Sequence, residues 1–124
     1  AGYVHTARSR NDQVITDLKI WLKSSTYEIN KIINKLIRSI LKIAEKNVET
    51  IMPGFTHLKN AQAVSFGHYL MAYVEMFTRD KLRFENNLRN LNECPLGVSA
   101  LTGTSFNIDR NYTKKKIRFY KFNK

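Results

Sequence analysis

Two long runs of apolar residues at spacings of three and four predict an all-α chain, one long-helix segment of a bundle. The first run contains neither glycine nor proline. A third observation agrees with these two: no glycine-rich phosphate loop and no dinucleotide fingerprint occur anywhere, so a βαβ unit is not expected.

The first helix is expected over residues 11–46. Val14, Leu18, Trp21, Leu22, Ile29, Ile32, Ile33, Leu36, Ile37, Ile40 and Ile43 fall on one broad face. That face is wider than a two-position heptad seam, which suits burial against several neighbours. Ser9 or Asn11 is placed to cap the start, and Asp12 favours the first turn. Pro53-Gly54 then stops any helix reaching it, and the residues through Leu58 read as a connector. A second helix is expected over roughly residues 61–91, carried by Val64, Gly67, Leu70, Met71, Val74, Phe77, Leu82, Leu88 and Leu91. Gly67 costs about 1 kcal/mol against alanine inside a helix, and a close helix crossing would account for it. Pro95, Gly97 and Gly103 mark a loop crowded with Ser99, Ala100, Thr102, Thr104 and Ser105. Two helices cannot enclose a core alone, so their apolar faces require partners.

The chain has 124 residues, the size of one modest domain, and reads as residues 1–110 followed by a basic tail, 111–124. It starts at Ala1 rather than methionine and reads as part of something larger. The single cysteine, Cys94, has no internal disulfide partner and points to a reducing compartment. No stretch approaches the roughly 18 consecutive apolar residues of a membrane span. The net charge is +11, of which six charges come from Lys114, Lys115, Lys116, Arg118, Lys121 and Lys124 in the tail. Tyr112, Phe119, Tyr120 and Phe122 are interleaved with them, a pattern able to meet phosphates and bases. No nucleic-acid-binding fold frames that patch, so nucleic acid is not the expected partner.

Three dense polar motifs carry the candidate chemistry: HTARSRNDQ at 5–13, MPGFTHLKNAQA at 52–63 and PLGVSALTGTSFNIDR at 95–110. Arg8, Ser9, Arg10, Asn11, Asp12 and Gln13 sit at the mouth of the first helix, where free N–H groups attract an anion. Arginine clamps a carboxylate with two parallel bonds, and Ser and Asn add oriented contacts. The same spacing also describes a plain capping turn with solvated arginines. His57, beside Thr56 and near the expected start of the second helix, is either a proton-transfer group or an ordinary surface or packed histidine. His5 and His68 pose the same choice. Three unpaired histidines without an HExxH spacing do not make a metal site, and Cys94 has no partner for thiol catalysis. Thr104 and Ser105 could line a polar wall or simply belong to a glycine turn.

Taken together, the three motifs resemble those of the argininosuccinate lyase family, in the fumarase and aspartase superfamily. HTARSRNDQ is similar to the family's HTGRSRNDQ, with Ala7 in place of glycine. MPGFTHLKNAQA is similar to MPGYTHLQ-x-AQP, and FGHYLMAYVEMFTRD at 66–80 matches the helix that follows. PLGVSALTGTSFNIDR is similar to PLG-x-GALAGT-x-x-x-IDR. The resemblance runs from Ala1 to about Arg110. It implies a fumarase/aspartase-like central helical bundle, a cytoplasmic homotetramer, no cofactor, and reversible β-elimination of argininosuccinate to arginine and fumarate in arginine biosynthesis. It assigns the carboxylates to Ser9, Arg10 and Asn11, a further carboxylate contact to Thr56, and the leaving-group proton to His57. Lys59, next to the substrate region, is counted with the substrate-binding residues, and Asp12, Gln13, Thr104 and Ser105 support the geometry. The Arg10 and His57 regions are expected to reach one site from different chains.

Several positions depart from the family pattern. Lys59 replaces a glutamine, exchanging a two-way hydrogen-bonding group for a cation. Ala63 replaces a proline at an expected helix start. Ser99, Asn107 and Thr102 stand for glycine, proline and alanine. Ala7 is harmless unless the glycine it replaces uses a positive φ. The family's GSSxMPxKxN loop, with its serine base, is not among these residues, and neither is the glutamate that partners the histidine. The isolated chain is therefore expected to be inactive; the alternatives are a non-catalytic helical module that associates with a full-length lyase and, behind it, a basic nucleic-acid-binding protein.

Overall fold

A computed structural model describes residues 2–119 together with the backbone of 121 and 122. The described chain is mostly helical. A single 3-10 turn at Gly2–His5 leads into helix α1, Arg10–Lys46. Strands β1, Ile51–Thr56, and β2, Lys59–Ser65, form an antiparallel hairpin. Helix α2 follows at Phe66–Leu91. Two-residue strands β3, Glu93–Cys94, and β4, Lys121–Phe122, pair in parallel, with the short helix α3, Arg110–Lys116, between them.

The chain divides into two compact units, Ala1–Thr26 with Asn86–Lys124, and Tyr27–Glu85. Both long helices contribute to each.

In the 27–85 unit the structure corrects the expected connector. Residues 51–56 are extended and pair with 59–65, so α2 starts at Phe66 instead of Ala61. Val64 faces Met52 across the ladder, and Ala63 pairs with Pro53, so Ala63 lies in a strand and not at a helix start. The register slips between Pro53 and Phe55, a bulge at Gly54. A Cβ at Gly54 would lie 2.6 Å from the Gln62 carbonyl oxygen, so only glycine lets the two backbones approach this closely. Ser65 caps α2 by accepting a bond from the His68 N–H at 3.2 Å. The Phe66 N–H donates to the Thr50 carbonyl at 2.8 Å, which ties the new helix to the turn leaving α1.

Gly67 is buried where α2 crosses the end of α1. A Cβ there would meet the Ala44 carbonyl oxygen at 2.9 Å and the Asn47 carbonyl oxygen at 3.2 Å. The Gly67 N–H donates to that same Asn47 carbonyl at 3.0 Å. The close crossing is thus the reason for a glycine inside the helix. Buried Ala44 supplies the matching small surface on α1.

In the other unit, Lys19 and Lys23 of α1 reach the segment after α2. The Lys19 ammonium donates to the Glu93 carbonyl at 2.9 Å. The Lys23 ammonium donates to Asn92 Oδ1 at 2.8 Å and to the Arg118 carbonyl at 2.7 Å, and lies 4.4 Å from the centre of the Phe119 ring. Burial holds the Lys23 pKa below the ordinary lysine value. Phe119 is itself buried, so it is not available to stack on a base. Tyr112 is exposed with Lys116 over its ring, while Tyr120, Lys124 and the side chains of Lys121 and Phe122 lie outside the described residues.

Among the described residues, the buried apolar side chains are Ala44, Val74, Cys94 and Phe119. Trp21, Tyr27, Ile32, Leu36 and Ile43 of α1 remain exposed, as the expected need for partners requires. Among the described residues, no helix is long and apolar enough to cross a membrane.

Replacing Gly67 by alanine is expected to destabilise the chain by about 1–3 kcal/mol, because the obstructing atoms are backbone and cannot swing aside. Equilibrium urea unfolding followed by circular dichroism measures it; an unchanged midpoint would refute the close crossing.

Candidate functional site

The start of α1 is built by a reciprocal cap. Ser9 Oγ accepts from the Asn11 N–H at 3.2 Å, and Asp12 Oδ1 accepts from the Ser9 N–H at 3.2 Å. One of the helix's unpaired donors and the amide of the cap residue itself are organised within four residues. The cap belongs to Ser9, with Asn11 inside the helix.

Asp12 does more than close this box. Its second carboxylate oxygen accepts from the Gly97 N–H at 3.0 Å and the Ser99 N–H at 2.9 Å. The side chain is buried, and its three donors are all main-chain amides. A buried carboxylate is tolerated when such donors replace its water. The PLG loop is thereby pinned to the first turn of α1. Ser99 holds φ at 56°, in the left-handed region, at a position where the family pattern has glycine. Ala7, at φ 57°, also replaces a glycine at positive φ, so that substitution is not conformationally neutral.

The turn parts the two arginines of Arg8-Ser9-Arg10. Arg10 and Asn11 are exposed and line an open depression with Val14 and Ile15. Arg8 lines a different cavity, with Gly97 and Arg110. The single arginine-rich carboxylate pocket expected from the sequence is therefore two surfaces. Gln13 is half-buried on the turn that follows.

Thr56, His57 and Lys59 lie in the 27–85 unit, at the tip of the β1–β2 hairpin. Thr56 and Lys59 are cross-strand partners, and His57-Leu58 is the two-residue connection between them. Both connecting residues take positive φ, 51° and 62°. That is the hairpin geometry that Asn-Gly normally supplies without strain. His57 is thus not beside a helix start. It is held on an exposed, strained tip, next to a leucine that is 99% exposed. Strain of this kind, about 1–3 kcal/mol for each residue, concentrates where a side chain is being presented. The sequence signal for this was present in the two residues between Thr56 and Lys59, but neither is a turn-forming type.

Thr104 Oγ1 accepts from the Phe106 N–H at 3.3 Å, and Ser105 is exposed. Gly103, at φ 116°, closes the loop with its N–H on the Val98 carbonyl at 2.8 Å. The glycine turn is what the structure shows here. His5 lies on the initial 3-10 turn and His68 on the first turn of α2, both exposed. Among the described residues no group of three or more His, Cys, Asp or Glu side chains converges.

A family model described as lyase matches residues 1–122, through the basic tail. The chain belongs to the lyase family. It is 75% identical over 119 residues to argininosuccinate lyase of Pelagibacter ubique, covering 96% of this chain and 26% of that protein. It is 52% identical over 120 residues to argininosuccinate lyase of Ehrlichia canis, covering 97% of this chain and 26% of that one. The crystal structure of EDDS lyase in complex with formate superposes with a TM-score of 0.88 at 29% identity, over 91% of this chain and 23% of that chain. The mostly helical fold is of the fumarase and aspartase type. The chain spans about a quarter of the length of the curated relatives it matches.

Two substitutions test the geometry of this lyase segment. Asp12→Ala strands three half-buried amides and should cost about 3 kcal/mol, with faster hydrogen exchange at Gly97 and Ser99. Exchange unchanged at both amides would remove the carboxylate bridge. Ser99→Gly relieves a left-handed serine at a smaller entropic cost and should stabilise by about 0.5–1 kcal/mol in thermal unfolding.

Proposed function

We propose that this chain carries the carboxylate-binding turn and the proton-transfer histidine of an argininosuccinate lyase. The observation that supports this most is the 75% identity over 119 residues to an enzyme of that name. The whole reaction is a β-elimination that yields arginine and fumarate. A base removes a proton from the carbon next to a carboxylate, charge grows on that carboxylate, and an acid protonates the departing guanidinium nitrogen.

In this reading Ser9, Arg10 and Asn11 hold the carboxylates of the fumarate portion. An exposed Arg10 on a rigidly capped turn is available to a partner-borne substrate, and donors aimed at growing charge lower the barrier most. Thr56 contacts a further carboxylate. His57, on the hairpin tip, delivers the leaving-group proton, and Lys59 across the turn adds positive charge beside it. Asp12 and Gln13 hold the turn, and Thr104 and Ser105 shape the loop. No metal or other cofactor enters.

The active enzyme is a cytoplasmic homotetramer in which the Arg10 and His57 regions of different subunits meet. The exposed Trp21, Ile32 and Ile43 on one long helix support such an assembly, since a soluble helix with that much uncovered apolar surface needs partners. The serine-base motif is not among these 124 residues.

The purified chain alone should therefore release no fumarate from argininosuccinate. A chimera in which these residues replace the matching segment of the Pelagibacter ubique enzyme should be active. His57→Ala in that chimera should lower kcat by about 10²–10⁴-fold with a smaller change in KM. A chimera that assembles but cleaves nothing, or one indifferent to His57, would overturn this reading.

A further inference from the structure

The arginine that the capped turn directs away from Arg10 has a cavity of its own. Arg8 and Arg110 line a space of about 190 Å³ together with Val4, Thr6, Leu96 and Ile108. This is room for roughly six water-sized groups. Among the described residues that line it, none is acidic.

Arg110 lies along one wall. Its Nε donates to the Leu96 carbonyl at 3.4 Å. A Cβ on Gly97 would come within 2.9 Å of its Cγ and Nε, so the glycine, at φ 99°, makes the room this side chain occupies. Arg8 forms another part of the lining. Its Nη2 lies 3.3 Å from His5 Nδ1, while its Nε is buried and has no hydrogen-bond partner. A buried N–H left unpaired is destabilising, more so on a charged group. An acceptor reaches it only if the Arg8 side chain turns toward the cavity that it lines.

We propose that this cavity is a binding site for a short aliphatic carboxylate, separate from the surface formed by Arg10 and Asn11. The class follows from the lining. Guanidinium groups match the planar, two-oxygen geometry of a carboxylate. Val4, Leu96 and Ile108 offer apolar contact for a hydrocarbon stem, where a fully hydrated phosphate would lose water without compensation. The Thr6 side chain adds a hydroxyl to the same lining.

The test is a titration of the isotope-labelled 124-residue chain with sodium propionate at constant ionic strength, followed by NMR of arginine Nε–H signals and backbone amides. Saturable shifts at Arg8, Arg110 and Gly97 in the millimolar range are expected. Arg8→Gln should weaken binding about tenfold. Val4→Glu, at an exposed position, keeps both arginines and supplies a tethered carboxylate, so it should abolish propionate binding. Shifts that never saturate, shifts confined to Arg10 and Asn11, binding unaltered in both variants, or equal binding of inorganic phosphate would each overturn the proposal.

Discussion

The carboxylate of Asp12 holds three main-chain amides that nothing else in its neighbourhood pairs. One belongs to the residue that caps α1, and two belong to the loop 85 and 87 residues further on. A buried charge is expensive, and here its solvation shell has been replaced by fixed N–H dipoles. The consequence reaches both arms of the turn. The cap sets where α1 begins, hence where Arg10 and Asn11 emerge. The loop sets where Gly97 lies, hence where Arg110 rests. A left-handed Ser99 is held in place by the same bond that its own amide donates.

The hairpin and the helix crossing form a second, independent piece of engineering. Gly54 lets one strand approach the Gln62 carbonyl, and Gly67 lets α2 approach the end of α1. Both glycines are required by proximity of main chains rather than by turn conformation. At the tip the situation reverses: two ordinary L-residues take a conformation that glycine would accept easily. In the 27–85 unit the backbone is relaxed where it packs and strained where His57 is displayed.

How much of this was legible in the sequence varies with the range of the interaction. Helix α1 was readable because its apolar spacing runs without a break and Ser9-x-x-Asp12 is a local cap signature. The hairpin was hidden by Pro53-Gly54, which reads as a breaker, and by Val64, which continues the three-and-four spacing of Gly67, Leu70 and Val74 into a strand. Ser65, a good cap directly before Phe66, was the local sign of the later start. The polar residues of the three motifs were visible as candidates. Their division was not, because the parting of Arg8 from Arg10 depends on a contact between Asp12 and residues in another part of the chain.

The sequence separations of these contacts also set an order of assembly. The crossing of Gly67 with Ala44 and the pairing of Ile51 with Ser65 join residues that are near neighbours along the chain. The bridge from Asp12 to Gly97 and Ser99 must close a loop several times longer, which costs about 1 kcal/mol more in chain entropy. The 27–85 unit can therefore form early from local contacts. Once its hairpin has reversed the chain, the effective loop that Asp12 must close is short. On a ribosome, the histidine-bearing tip would leave the exit tunnel before the amides that Asp12 needs.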